Sequence, residues 1–311
     1  MTPIVVIGAG IAGLACAGRL VEAGLSVVVL DKGRGIGGRV ATRRAGGLQF
    51  DHGAQYVTAE SPGFAALLDR LSQAGSVATW ADGSGRSHHV GTPGMSALAK
   101  ALGAGLQVRQ DSLVSAVAPV PGGWRLRVAD SDLAAARLVI TLPAPQVAGL
   151  LGADHPLVAR LAGVRLAPCL TLMAACRGPA PFVTRKDNDD PLSWIAQDSS
   201  KPGRPGGEVT AWVAQASPAF SEAHLEKTPP EIAALMLPLL RDRLGASPGA
   251  VTHAEAHRWR YARVTAPLGQ PFLRSADASL YLGGDWCIGP RVEAAWVSGT
   301  AIAEDLLAQM A

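Results

Sequence analysis

Apolar residues fall in short unbroken runs near both ends of the chain and in looser alternation through its middle. Pro3-Ile4-Val5-Val6-Ile7 is a continuous apolar run, the pattern of a strand covered on both faces in a parallel sheet. Leu14 to Glu22 carries apolar positions at helical spacing, and Ala23-Gly24 ends that helix. Val27 to Leu30 reads as a second buried strand closing on Asp31, so the opening residues spell a βαβ unit. Between Gln107 and Thr141 the runs Val114-Ser115-Ala116-Val117 and Trp124-Arg125-Leu126-Arg127-Val128, separated by Pro-Gly-Gly, predict an antiparallel meander. Leu138 to Leu142 is again a buried strand, stopped by Pro143 and Pro145. Residues 169–176 and 208–216 are further strands, with a polar loop (Thr184 to Asp190) and a Pro/Gly/Ser stretch (Ser199 to Gly207) between them. Residues 231–244 predict an amphipathic helix, Leu280 to Gly283 a last buried strand, and Arg291 to Gln309 a long terminal helix. No internal repeat is visible.

This order predicts an α/β fold in which the first and last parts share one parallel sheet. A Rossmann-type nucleotide-binding domain, parallel sheet plus β-meander, would take 1–60, 91–145 and 252–311. An inserted mixed α+β substrate domain would take 61–90 and 146–251. The 311 residues suffice for this, and 48% apolar against 17% charged residues is a globular composition. A formal charge of +3 is too small to argue for nucleic acid, though it suits an anionic ligand. The four cysteines, Cys16, Cys169, Cys176 and Cys287, include no Cys-x-x-Cys pair, so neither a metal site nor a dithiol redox site is expected. The glycine-rich N-terminal run has no basic region before it and reads as strand and turn, not as a signal peptide. No stretch reaches transmembrane length. The expectation is a soluble, cytoplasmic protein without membrane partners.

Chemistry enters with Gly8-x-Gly10-x-x-Gly13, which sits between strand and helix as a dinucleotide fingerprint must. Gly8 makes the tight turn, Gly10 lets the backbone approach a pyrophosphate, and Gly13 permits close helix–strand packing. Ile11 and Ala12 lie at the helix N-terminus, whose free N–H groups and positive dipole end suit phosphates. Asp31, 18 residues beyond Gly13, would accept hydrogen bonds from a ribose diol, with Lys32 beside it. Arg34-Gly35-Ile36-Gly37-Gly38-Arg39 follows. Gly37 and Gly38 would lay a second loop against the pyrophosphate, and Arg39 would neutralise it.

These residues resemble the amine-oxidase and phytoene-desaturase superfamily of flavoproteins, whose second motif reads Arg-x-Gly-Gly-Arg; here Gly35 stands where its first arginine falls. The resemblance implies FAD, bound non-covalently. It also implies that Gly283-Gly284-Asp285-Trp286 closes the cofactor site, with Asp285 on the ribityl or pyrophosphate portion. Val292 and Glu293 then open a helix aimed at the flavin ring. Val114 is counted with the cofactor residues, and Gln55 and Tyr56 would lie beside the ring. Cys287 does not match a covalent attachment site. Asp31-Lys32-Gly33-Arg34-Gly35, Phe50-Asp51-His52-Gly53-Ala54-Gln55-Tyr56, Val90-Gly91-Thr92-Pro93-Gly94-Met95, His257-Arg258-Trp259-Arg260-Tyr261-Ala262-Arg263 and Gly284-Asp285-Trp286-Cys287 with Arg291-Val292-Glu293 are similar to the renalase-like enzymes of bacteria. That resemblance runs nearly end to end and is weakest from about 180 to 250. It implies oxidation of the 2- and 6-dihydro isomers of NAD(P), with dioxygen reduced to hydrogen peroxide.

Residues 257–263 bear on the substrate. If they form a strand, His257, Trp259 and Tyr261 share one face and Arg258 and Arg260 the other. The first face, with Tyr56, would wall a flat pocket for a nicotinamide ring, and the arginines suit an anionic dinucleotide. The competing reading is core aromatics with surface arginines. Trp286 and Trp296 are either ring neighbours or core. Lys201 is read as a solvated loop lysine, with a phosphate contact as the alternative. Two rival functions remain, an amine or polyamine oxidase of the same fold and a flavin-binding module without oxidase activity.

Overall fold

The computed structural model describes residues 2–310. Ile4–Ile7 (β1) and Val27–Leu30 (β2) flank helix α1 (Ile11–Glu22), and β1 also pairs in parallel with β11 (Arg137–Ile140). β11 pairs in turn with β18 (Leu280–Gly283) in parallel. With β7 (Val108–Arg109) and the antiparallel edge strand β17 (Phe272–Arg274), the order is β17-β18-β11-β1-β2-β7. Sequence-distant segments thus share one sheet, as the apolar runs predict.

Both faces of this sheet are covered, which is why its strands read as unbroken apolar runs. Ile4, Val6, Val29, Val139 and Tyr281 face one core; Val5, Ile7, Leu138, Ile140 and Leu282 face the other. On the first side lie α1, α2 (Pro62–Gln73), α3 (Ser96–Leu102) and the terminal helix α8 (Val292–Ala308). On the second lie α4 (Ala144–Leu151), α5 (Pro156–Ala159) and the predicted meander, β8 (Val114–Val120), β9 (Gly123–Val128) and β10 (Ser131–Ala135), an antiparallel three-stranded sheet. Helices α1 and α8 approach so closely that a Cβ on Gly299 would collide with the Ala12 carbonyl. Overpacking of this kind costs about 1–3 kcal/mol, so Gly299→Ala is expected to lower the melting temperature by several degrees. An unchanged melt would show that the helices can part freely.

The central part forms a five-stranded antiparallel sheet, β13 (Thr184–Lys186), β14 (Trp194–Gln197), β15 (Val209–Gln215), β12 (Arg165–Arg177) and β16 (Val251–Ala266). The segment read as a polar loop from Thr184 therefore begins with a strand; β13 is an edge strand, and an edge needs no apolar alternation. Behind this sheet lie α6 (Pro218–Ala223) and α7 (Pro229–Leu244). A Thr228–Glu231 capping box starts α7 and Gly245, with φ +62°, ends it. Leu170, Leu172, Trp212 and Ala214 pack against Ile232, Met236 and Leu240. Two hairpins complete the fold, β3 (Thr42–Ala45) with β4 (Leu48–Asp51) and β5 (Val77–Trp80) with β6 (His88–Gly91). Among the described residues no helix is long and apolar enough to cross a membrane, and no cluster of His, Cys, Asp or Glu would hold a metal ion.

Candidate active site

The predicted nucleotide end assembles around the start of α1. Gly8 has φ +108°, and a Cβ there would lie 2.8 Å from Thr141 Oγ1. A Cβ on Gly13 would strike the Gly8 carbonyl. Gly10 differs, because no atom lies within 4 Å of its Cβ position. It is the N-cap of α1 and no side chain caps that helix, so Ile11, Ala12 and Gly13 open it without an internal partner for the dipole. Gly38, with φ +53°, brings its Cβ position to 3.8 Å from Gly10 Cα, and Gly37 N–H donates to the Ala9 carbonyl at 2.8 Å. The two glycine motifs thus face each other across one backbone-lined cradle. Asp31 accepts from Ala9 N–H at 2.6 Å and Gly33 N–H at 2.7 Å, which fixes its carboxylate at the end of β2. Lys32 is exposed and Val114 is buried.

Arg39 and Asp285 meet in a bidentate ion pair, with Nη1 to Oδ2 at 2.8 Å and Nη2 to Oδ1 at 2.6 Å. Arg39 Nη1 also donates to the Ala262 carbonyl at 3.1 Å. The guanidinium therefore ties the second glycine motif, the C-terminal motif and β16 together. Glu293, buried in the first turn of α8, accepts from Glu60 N–H and from Ser61 N–H and Oγ, both at 2.6 Å for Ser61. It thus supports the start of α2, where Arg291 also pairs with Glu60. Val292 begins α8, whose N-terminus has no side-chain cap. Trp286 is fully buried with its Nε1 donating to the Leu142 carbonyl at 3.0 Å, and Trp296 packs on Phe64 with ring centroids 5.5 Å apart. Trp286 is a core residue, and Trp296 is half-buried against the core. Burial pushes the Cys287 thiol up to about 12, which leaves it protonated and a poor nucleophile.

The segment from Phe50 to Tyr56 rests on one face of the five-stranded sheet. Strand register puts Cys169, Thr171, Trp194, Gln215, His257 and Trp259 on that face. Gln215 Nε2 donates to the Gly53 carbonyl at 2.7 Å, and Trp259 Nε1 to the His52 carbonyl at 2.7 Å. The rings of His52, His257 and Trp259 stack edge and face, with centroids 4.3–5.2 Å apart. Burial, then His257 and Arg43, pushes the His52 imidazole down to about 3. Burial and Arg43 lower His257 as well. Arg258 and Arg260 turn to the opposite side, where Arg260 holds Glu226 at 2.7 and 2.9 Å and Arg258 caps the Leu225 carbonyl at 2.6 Å. Tyr261 falls where the β12–β16 register slips and is half-buried.

Tyr56 stacks on His88 with centroids 3.7 Å apart and planes 12° from parallel, and its other neighbour is Trp194 at 5.8 Å. His88 Nδ1 lies 2.8 Å from Asp82 Oδ2. Burial and the Asp82 charge raise the Tyr56 phenol. Behind Tyr56 lies a buried ionic group. Lys201 Nζ donates to Asp198 Oδ1 at 2.6 Å, to Gln55 Oε1 at 3.2 Å and to Asp51 Oδ2 at 3.4 Å, while Arg204 pairs with Asp51. Lys201 is 2% exposed. It is neither solvated nor available to a phosphate, because two carboxylates and a glutamine enclose it. Gln55 is likewise committed, donating to the Asp51 carbonyl at 2.6 Å. Of these partners, Asp82, His88, Trp194, Asp198 and Arg204 carry no local motif and become visible only when the segments meet.

Residues 79–307 match the family described as flavin containing amine oxidoreductase, and residues 6–71 match the NAD(P)-binding Rossmann-like domain. The chain belongs to the flavin-containing amine oxidoreductase family. Its fold is similar to a protein described as a protoporphyrinogen oxidase from Exiguobacterium sp. 255-15, with TM-score 0.79 and 14% identity over 98% of each chain. It is also similar to cyclohexylamine oxidase from Brevibacterium oxydans IH-35A, with TM-score 0.73 and 13% identity over 99% of each chain. At these identities the likeness shows the fold alone. A third match is protoporphyrinogen oxidase 2 of Arabidopsis thaliana, 38% identical over 68 residues. That match covers 22% of this chain and 13% of the plant protein.

Membership of this family, with its nucleotide-binding fold, makes FAD the cofactor of this flavin-containing amine oxidoreductase family member. The residues present fit it. The open Cβ position of Gly10, the left-handed Gly38 and the uncapped start of α1 form a cradle that a side chain would fill. Gly8, Gly10, Ile11, Ala12, Gly13, Gly37 and Gly38 would hold the phosphates, with Asp31 at the ribose, while Asp285 and the start of α8 would hold the remainder.

Proposed function

We propose that this protein is an FAD-dependent oxidase that takes hydride from 2- or 6-dihydro isomers of NAD(P), as the renalase-like enzymes are implied to do. The supporting observation is the chemistry of the sheet face against residues 50–56. Burial pushes the Cys169 thiol up to about 11, holds Tyr56 protonated and keeps His52 and His257 neutral. Its carboxylate, Glu255, is paired with Arg43 at 3.5 Å. Among the described residues this face therefore offers walls and no free carboxylate, and the neighbouring His88 is paired with Asp82 at 2.8 Å. A dihydropyridine suits such a site, because loss of hydride restores its aromaticity and no proton has to leave carbon. Bound FAD would supply a two-electron acceptor that dioxygen re-oxidises, giving hydrogen peroxide. The protein's own task is to hold the donor carbon at about 3–3.5 Å from its acceptor and to exclude water. His257 and Trp259 pack with His52 as part of the wall, and Tyr56, stacked on His88, presents the half-exposed ring that would orient the donor.

An amine oxidase is the second reading, favoured by the rings of Tyr56 and Trp194, which offer faces to a cation. Anaerobic mixing of the yellow protein with isomer-containing NADH, purified NADH and an amine panel separates the two. Bleaching by the isomers alone is expected. No bleaching by the isomers, with bleaching by an amine, overturns the proposal in favour of the second reading.

A further inference from the structure

We propose that Arg263 anchors an oxyanion of the donor, a phosphate or a carboxylate, at the mouth of this site. The inference takes its donor from the reading above, but the anion site stands on its own observations. Of the basic residues between 257 and 263, Arg258 and Arg260 are spent on the loop at 225–227, and His257 lies against His52 and Trp259. Arg263 is exposed and makes no hydrogen bond or ion pair among the described residues. The backbone that carries it is nonetheless placed by the fold. The register slips after Trp259 and resumes at Ala167↔Arg263 and Leu166↔Val264. Ala167 lies two positions from Cys169, so Arg263 returns to the face that meets residues 50–56 while Val264 turns into the core, and Arg258 and Arg260 lie on the opposite face. The residue before it, Ala262, is held by Arg39, which Asp285 holds in turn. Arg263 thus begins where the substrate sheet touches the cofactor motifs. Its charge also reaches inward, opposing the rise that burial imposes on the Tyr56 phenol and the Cys169 thiol.

An exposed guanidinium beside this face, paired with no carboxylate among the described residues, attracts anions and offers two parallel donors to a phosphate or carboxylate. A donor with an acidic group could put its ring against Tyr56 and that group on Arg263. A cationic amine would be repelled.

Titration calorimetry on the FAD-loaded protein tests this with inorganic pyrophosphate and, separately, benzoate. The wild type is expected to bind one of them in a salt-sensitive manner. Arg263→Met should weaken that binding at least about tenfold, Arg263→Lys should weaken it less, and Arg260→Met should leave it unchanged. Pyrophosphate as the better ligand identifies a phosphate site, and benzoate a carboxylate site. No binding of either anion, or equal binding by Arg263→Met, overturns the assignment. Kinetics supply the second arm. The preference for NAD(P) isomers over the phosphate-free dihydronicotinamide riboside should fall about tenfold in Arg263→Met, while a retained preference speaks against the anchor. Failure of the donor reading looks different, since no dihydronicotinamide would then bleach the flavin although the anion still binds through Arg263.

Discussion

Asp51→Asn is expected to lower the unfolding free energy by about 3–5 kcal/mol, the cost of removing one partner from a buried ion pair. Asp51 and Asp198 balance Lys201 and Arg204, and all four side chains are closed off from water. Burial works against the Asp51 carboxylate, but Lys201 and Arg204 outweigh it and hold its pKa below the usual range. Thr42 Oγ1 at 2.7 Å and Met95 N–H at 2.9 Å also donate to it. Asparagine keeps the shape and removes the charge, which leaves an uncompensated cation in the interior. Thermal unfolding should move by on the order of 10 °C. The double variant Asp51→Asn/Arg204→Met restores the balance and should be destabilised by less than the sum of the single changes. Additive losses would mean that the four groups do not act as one unit.

The second large effect is acid lability set by His52. Its folded pKa is about 3, against an ordinary 6.5. Between those values the unfolded chain binds a proton that the folded chain refuses, so stability is present in full above 6.5 and is lost as pH falls. The loss from this residue is about 2 kcal/mol between pH 7 and pH 5 and about 4–5 kcal/mol by pH 3. His257, also lowered, contributes with the same sign. Urea unfolding from pH 7 to pH 5 should therefore show a steeper decline for the wild type than for His52→Gln. Parallel curves would mean that the imidazole takes up its proton without cost, and that the packing of His52 against Trp259 is looser than its geometry suggests.

The nucleotide end was legible in sequence because its determinants are local. Gly8, Gly10 and Gly13 answer to one turn and one helix, and the strands beside them are long enough in apolar residues to declare two covered faces. The wall of the substrate site was less legible. The placement of His257 and Trp259 opposite Arg258 and Arg260 followed from simple alternation, but the register slip beyond Trp259 hides where Tyr261 points. Trp286 and Trp296 look alike as candidates until their neighbours are known; Trp286 proves to be core and Trp296 a half-buried ring packed against Phe64. Lys201 is the clearest miss. It lies in a Pro- and Gly-rich stretch that reads as solvated loop, yet its charge is buried by Asp198 from its own turn and by Asp51 from 150 residues away. Glu293 illustrates the same limit, since its carboxylate serves the amide groups of Glu60 and Ser61 from the other end of the chain.

The position of β18 beside β11 has a consequence for how the protein is made. A nascent chain can lay β1, β2 and β11 side by side once Ile140 has emerged, but the far edge of β11 stays bare until Gly283 does. At ribosomal rates of about 5–20 residues per second, that interval is on the order of ten seconds. For that time an apolar strand edge is open to chaperones and to other chains, and the partner that closes it is translated long after β11 itself.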